Sequence, residues 1–140
     1  MPPAEQIVLY DHDCGFCRWA LGKLLAWDRR RTLRPAPIQS DEGRRLLAGM
    51  GEDERLSSWH LVDEDGVHSG GAAFAPALDR LPGGRPLAAL ARRLPGLTER
   101  GYRAVANRRG KIGPRIPAGA KRRADRRIAA RAGPGGGGAG

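Results

Sequence analysis

Apolar residues run unbroken over Ile7-Val8-Leu9-Tyr10, the pattern of a strand buried on both faces, and predict a strand over 6–10. From Phe16 the period changes. Phe16, Ala20, Leu21, Leu24, Leu25 and Trp27 recur at helical spacing, with Arg18, Lys23, Arg29 and Arg30 on the other side or toward the C-terminal end, where cations suit the helix dipole. Residues 11–13 are then the loop between strand and helix. Leu33-Arg34-Pro35-Ala36-Pro37-Ile38 is a second apolar run, and its prolines lack the N–H a ladder needs, so it predicts a short strand toward a sheet edge. Ser40-Asp41-Glu42-Gly43 has the form of a helix start, continuing through Arg44-Arg45-Leu46-Leu47-Ala48 to a stop at Gly49 or Gly51. Residues 51–57 predict a charged loop. Trp59-His60-Leu61-Val62 and Val67-His68-Ser69 flank Asp65-Gly66, a hairpin whose glycine supplies the positive φ of the turn. Helices are then expected over 72–81, 86–94 and 97–109, the first two separated by Pro82-Gly83-Gly84.

The order βαβα followed by ββα and trailing helices predicts an α/β sandwich of three layers, a small mixed sheet flanked by helices. At 140 residues, 40% apolar and a mean hydropathy of −0.51, the chain suits one domain with one core. No stretch approaches the roughly 18 apolar residues of a membrane span, and Met1-Pro2-Pro3-Ala4-Glu5-Gln6 lacks the basic and apolar regions of a secretory signal. A cytoplasmic location is the expectation.

Charge divides the chain. Residues 1–99 hold 13 Lys and Arg against 14 Asp and Glu, whereas residues 100–140 hold 12 Lys and Arg against Asp125 alone. The basic character therefore belongs to the C-terminal part, densest in Lys121-Arg122-Arg123-Ala124-Asp125-Arg126-Arg127 and ending in a glycine run. Such composition offers little to bury against its ordering entropy, so the expectation is a folded domain over 1–113 and a disordered Arg/Gly-rich tail over 114–140. Non-specific contact with a polyanion is the partner that tail suggests, since it has no aromatic residue for base stacking.

Both cysteines of the chain lie in Cys14-Gly15-Phe16-Cys17, where the first strand gives way to the helix. In a reducing compartment such a pair is catalytic or metal-binding rather than a structural staple. Thiols three residues apart at a first helical turn can close into a disulfide, and the free N–H groups and dipole there favour the more N-terminal thiolate. Cys14 is then the nucleophile and Cys17 the resolving thiol. Asp11 and Asp13 disfavour a further anion at Cys14, while Arg18, a protonated His12 and the helix terminus favour it. Asp13 is also a candidate N-cap, and Asp11 a candidate acceptor for the proton of Cys17.

Tyr10-Asp11-His12-Asp13-Cys14-Gly15-Phe16-Cys17, with Ala36-Pro37-Ile38-Gln39-Ser40 after the helix, resembles the DCC family of predicted thiol-disulfide oxidoreductases, named for this Asp and the two Cys. The similarity runs over about 7–109 and leaves out the basic tail. It implies a thioredoxin-like fold with Cys14 and Cys17 as the redox pair and Asp11 as the accompanying acid. His12 stands where family members usually carry Gly, which adds an imidazole near Cys14. Unlike thioredoxins, the chain has no proline before the third strand, at Ser57-Ser58-Trp59. The resemblance implies an enzyme exchanging thiols and disulfides with an unidentified partner, a protein in the first instance. No cofactor is needed, because the electrons travel on sulfur. Zinc held by Cys14, Cys17, His60 and His68 is the rival chemistry, and a redox-silent binding module using the dithiol face or the basic tail is the rival class. Trp19, Trp27 and Trp59 read as packing residues, with Trp59 also a candidate for a substrate surface.

Overall fold

The computed structural model describes residues 5–131. Strand β1 (Gln6–Tyr10) leads through a short loop into α1 (Gly15–Trp27), and β2 (Leu33–Pro37) returns parallel to β1. Two short helices follow, α2 (Asp41–Leu46) and α3 (Glu52–Ser57), then the hairpin of β3 (His60–Asp63) and β4 (Gly66–Ser69). A 3-10 turn over Gly70–Ala73 opens α4 (Phe74–Arg80), and α5 (Arg85–Arg93), α6 (Pro95–Ile112) and α7 (Ala118–Arg131) complete the described chain. The sheet has the order β2-β1-β3-β4, with β1 antiparallel to β3 and β3 antiparallel to β4. This mixed sheet between helices is the thioredoxin-like sandwich.

The period of two along β1 divides the core. Val8 and Tyr10 face a larger cluster with Leu21 and Leu25 of α1, Leu61, Ala73, Ala77, Leu81 and Ile128. Leu9 faces the other side, with Ala36, Ile38 and Leu47, where Ile7, Leu56 and Val62 pack around it. Pro35 and Pro37 lie on β2 at a sheet edge, where a missing donor costs least. Ser40 caps α2 by accepting from Gly43 N–H at 3.1 Å, and Gly66 closes the hairpin at φ +121°. Residues 51–57, expected as a charged loop, contain α3. Glu52, Asp53 and Glu54 occupy its first turn, where carboxylates complement the dipole.

The expectation of disorder from residue 114 onward gives way over 114–131. After a 3-10 turn at Gly113–Arg115, α7 packs along α1 with Ala124 and Ile128 buried. Gly22 of α1 makes this approach feasible: a Cβ there would sit 2.5 Å from Cβ of Ala124. Arg131 closes the contact with a buried ion pair, Nη1 to Asp28 Oδ2 at 2.9 Å, and donates to the carbonyls of Leu25 and Asp28. Asp28 also accepts from Thr32 and Leu33 N–H, turning the chain from α1 into β2. Ala124, Ile128, Arg131 and the Asp125 carboxylate, paired with Arg18 of α1, dock this helix, a signal hidden by the cations around them. Residues 132–140, the rest of the expected tail, lie outside the described residues.

Candidate active site

The loop after β1 is braced from the turn that follows β2. Gln39 donates through Nε2 to Asp11 Oδ1 at 2.8 Å and accepts from His12 N–H at 3.1 Å. Asp13 N–H also donates to Asp11 Oδ1, at 3.0 Å, and Arg18 reaches the His12 carbonyl at 3.2 Å. The carboxylate of Asp11 thus organises the turn that delivers Cys14. The ring of His12 is exposed and has no hydrogen-bond partner among the described residues. His12 is tied into the loop through its backbone.

Cys14, rather than Asp13, occupies the N-cap of α1, in extended conformation (φ −95°, ψ 109°). Its Sγ accepts from Cys17 N–H at 3.3 Å, so one of the free donors at the helix start is aimed at the sulfur. Both thiols are free and half-buried. Their environments differ nonetheless. Burial pushes the Cys17 thiol up to about 12, with the hydrogen bond and negative potential of Cys14 adding to it, Arg109 opposing and Asp11 adding a little more.

Two hollows meet at this point. Cys14 lines a polar groove with Asp11, Asp13, Arg109 and Lys121. Cys17 lines an apolar cavity of about 530 Å³ walled by Trp27, Trp59, Phe74, Tyr102 and Val105. Asp11, Phe16, Ala106 and Arg109 border both. Helix α6 roofs the cavity. Its Tyr102 OH accepts from Trp59 N–H at 3.2 Å, and its Glu99 accepts from Gly71 N–H at 2.8 Å. Phe74 stacks tilted on Trp59 at 5.1 Å and edge-on to Tyr102 at 5.8 Å. Trp59 therefore packs and lines a surface at once. Among the described residues no peptide bond is cis, and Ser57-Ser58-Trp59 enters β3 under α6.

The rival zinc set is not brought together. His60 is buried, with Nδ1 to Ser69 Oγ at 2.7 Å and Nε2 to the Arg55 carbonyl at 2.8 Å, and His68 pairs with Asp63 at 3.0 Å. Among the described residues no three His, Cys, Asp or Glu side chains converge as a metal site. Three residues of the site were not singled out by sequence reasoning. Gln39 stood in the 36–40 segment that carries the family resemblance but had no role of its own, Tyr102 read as one more apolar position of a helix and Arg109 as one more cation.

A family model described as DCC1-like thiol-disulfide oxidoreductase matches residues 8–115. No curated protein and no solved structure matches the chain. Helix α7 begins after the matched residues.

Proposed function

The chain belongs to the DCC1-like thiol-disulfide oxidoreductase family, and from that premise we propose that Cys14 is the attacking thiol, Cys17 the resolving thiol and Asp11 the proton acceptor of the exchange. One observation carries the assignment: the N–H of Cys17 is aimed at Cys14 Sγ, while burial holds the thiol of Cys17 in its protonated form. The Cys14 thiolate attacks one sulfur of a substrate disulfide, forming a mixed disulfide and expelling the other sulfur as a thiolate. Cys17 then loses its proton to the Asp11 carboxylate and attacks Cys14 Sγ. A second thiolate leaves, the substrate is reduced to two thiols, and the protein holds the Cys14–Cys17 disulfide. Run backward, the same steps oxidise a dithiol. His12 supports the loop through its backbone, Gln39 positions Asp11, and the polypeptide supplies all of the sulfur chemistry.

Among the described residues no helix is long and apolar enough to cross a membrane. We place the protein in the cytoplasm, where a reductant keeps the dithiol loaded. The exposed Arg122, Arg123, Arg126 and Arg127 of α7 support a second reading, salt-sensitive contact with a polyanion. Retention on an immobilised polyanion that vanishes on neutralising these four arginines would establish it.

The exchange is tested with a Cys17→Ser variant, which should accumulate a mixed disulfide on Cys14 when given a disulfide substrate. In the wild-type protein mild oxidation should remove two alkylation sites. If both thiols stay alkylatable after oxidation, the redox assignment fails.

A further inference from the structure

We infer that the substrate is a small molecule with an apolar, ring-sized body and an anionic group, rather than an extended protein segment. This rests on the exchange reading above and narrows it. Helix α6 covers the face beside the dithiol. A peptide added as a strand needs free backbone donors and acceptors at a sheet edge. Next to β1 lies β3, which is internal to the sheet, and the Trp59 N–H at its entry is already taken by Tyr102 of α6. The edges serve no better: β2 has prolines at 35 and 37, and β4 lies beyond β3 from β1, the strand that leads into the dithiol loop.

What α6 leaves open is a cavity. At about 530 Å³ it falls in the range of small-molecule sites, and its walls are aromatic and aliphatic. Leu97 and Val105 on its border are 63% and 44% exposed, so the cavity reaches solvent through them. Cys17 is one of its lining residues, and the groove holding Cys14 shares Asp11, Phe16, Ala106 and Arg109 with it. A disulfide with its apolar body in the cavity therefore has its sulfurs at the junction, before Cys14.

The charge at that junction completes the chemistry. Arg109 borders both hollows and donates to the Leu56 carbonyl at 3.2 Å, leaving its other N–H groups without a protein partner among the described residues. Lys121 lines the groove, its Nζ 3.4 Å from the place a Cβ on Gly15 would take. Asp11 and Asp13 line the same groove, but Asp11 is engaged by Gln39 and the Asp13 N–H, so a carboxylate or sulfonate on the substrate is met by the Arg109 guanidinium, which borders both hollows, and by the Lys121 ammonium in the groove.

The test compares three disulfide probes in stopped-flow reaction with the reduced full-length protein, each rate divided by that of dithiothreitol with the same probe. Bis(2-hydroxyethyl) disulfide is small and polar, 4,4′-dithiodipyridine is aromatic and neutral, and 5,5′-dithiobis(2-nitrobenzoate) is aromatic and anionic. The normalised rates should rise in that order, with roughly tenfold or more separating the first from the last. Gly101 lines the cavity and a Cβ there meets nothing within 4 Å, so Gly101→Phe fills the cavity from a helix position that accepts a side chain. It should bring the normalised rates of both aromatic probes down to that of the hydroxyethyl probe measured in the same variant. Arg109→Gln should erase the difference between the two aromatic probes, a ratio in which any change in the thiols themselves cancels. Equal normalised rates for all three probes, a preference that survives Gly101→Phe, or a faster normalised rate with an unfolded disulfide-linked protein would each overturn the inference. Failure to react with any disulfide would instead remove the exchange reading beneath it.

Discussion

One helical turn separates Cys14 from Cys17, and that distance is enough to place one functional group in two environments. The first sulfur ends a loop and receives an N–H; the second lines the apolar cavity with Tyr102 and Val105 of α6. In the reduced protein near neutral pH, iodoacetamide should label Cys14 much faster than Cys17, read by peptide mass spectrometry. The reverse order would exchange their roles and dismiss Asp11 with them. Asp11→Asn should slow release of the mixed disulfide more than its formation. Gln39→Ala should reproduce part of that effect, leaving the alkylation rate of Cys14 unchanged, because Gln39 acts on the carboxylate and not on the sulfur. The pH dependence has a definite sign. The folded chain keeps the Cys17 proton to about 12 against an ordinary 9.0, so the stability this thiol contributes is whole below pH 9.0 and falls as pH climbs toward 12. Melting of Cys17→Ser should be less sensitive to alkali in that window.

Elements were legible where one residue type repeats at one period. β1, α1, the proline-bearing edge strand and the hairpin announced themselves through Ile7-Val8-Leu9-Tyr10, the Leu21/Leu25 spacing, Pro35 and Gly66. α3 did not, because six residues with Leu56 as their one large apolar side chain show no periodicity, and its stability comes from its acidic first turn and from contacts made outside the helix. His60 is one such contact. Its ring joins the Arg55 carbonyl in α3 to Ser69 in β4, and burial lowers its proton affinity below the ordinary 6.5. The unfolded chain takes up a proton below pH 6.5 before the folded chain does, so this group's stabilisation is whole above pH 6.5 and is lost as pH falls. Thermal melting followed from pH 7.5 to 5 should decline, and His60→Gln should flatten the decline.

For the whole molecule, the attachment of α7 was the feature least visible in the sequence. Composition counts every arginine as a solvated charge, whereas Arg131 is 13% exposed and locked to a fully buried carboxylate. The apolar cavity was equally hidden, since it is made by residues from β1, α1, the segment leading into β3, α4 and α6 that no local pattern connects. We place the domain boundary beyond α7. A chain ended after Gly113 should lose melting temperature and cooperativity, since Gly22, Leu21 and Leu25 would be left facing water. Arg131→Met should cost about 3 kcal/mol by urea unfolding, the scale for stripping one partner from a buried ion pair. Retention of full stability by either variant would return α7 to the status of an appendage.

The clasp of α7 on α1 also dictates how the redox helix breathes. α1 is held near its start by the Arg18–Asp125 pair at 3.4 Å, at its middle by the Gly22–Ala124 contact and at its end by Arg131. Its amides can open to solvent only when a helix a hundred residues away in sequence lets go. In deuterium exchange the two helices should therefore behave as one cooperative unit, with matched protection along α1 and α7 and a shared loss of it in Arg131→Met. The loop over 11–13, outside that clasp, should exchange on its own faster clock, so that the attacking sulfur sits at the seam between a slow body and a quick rim.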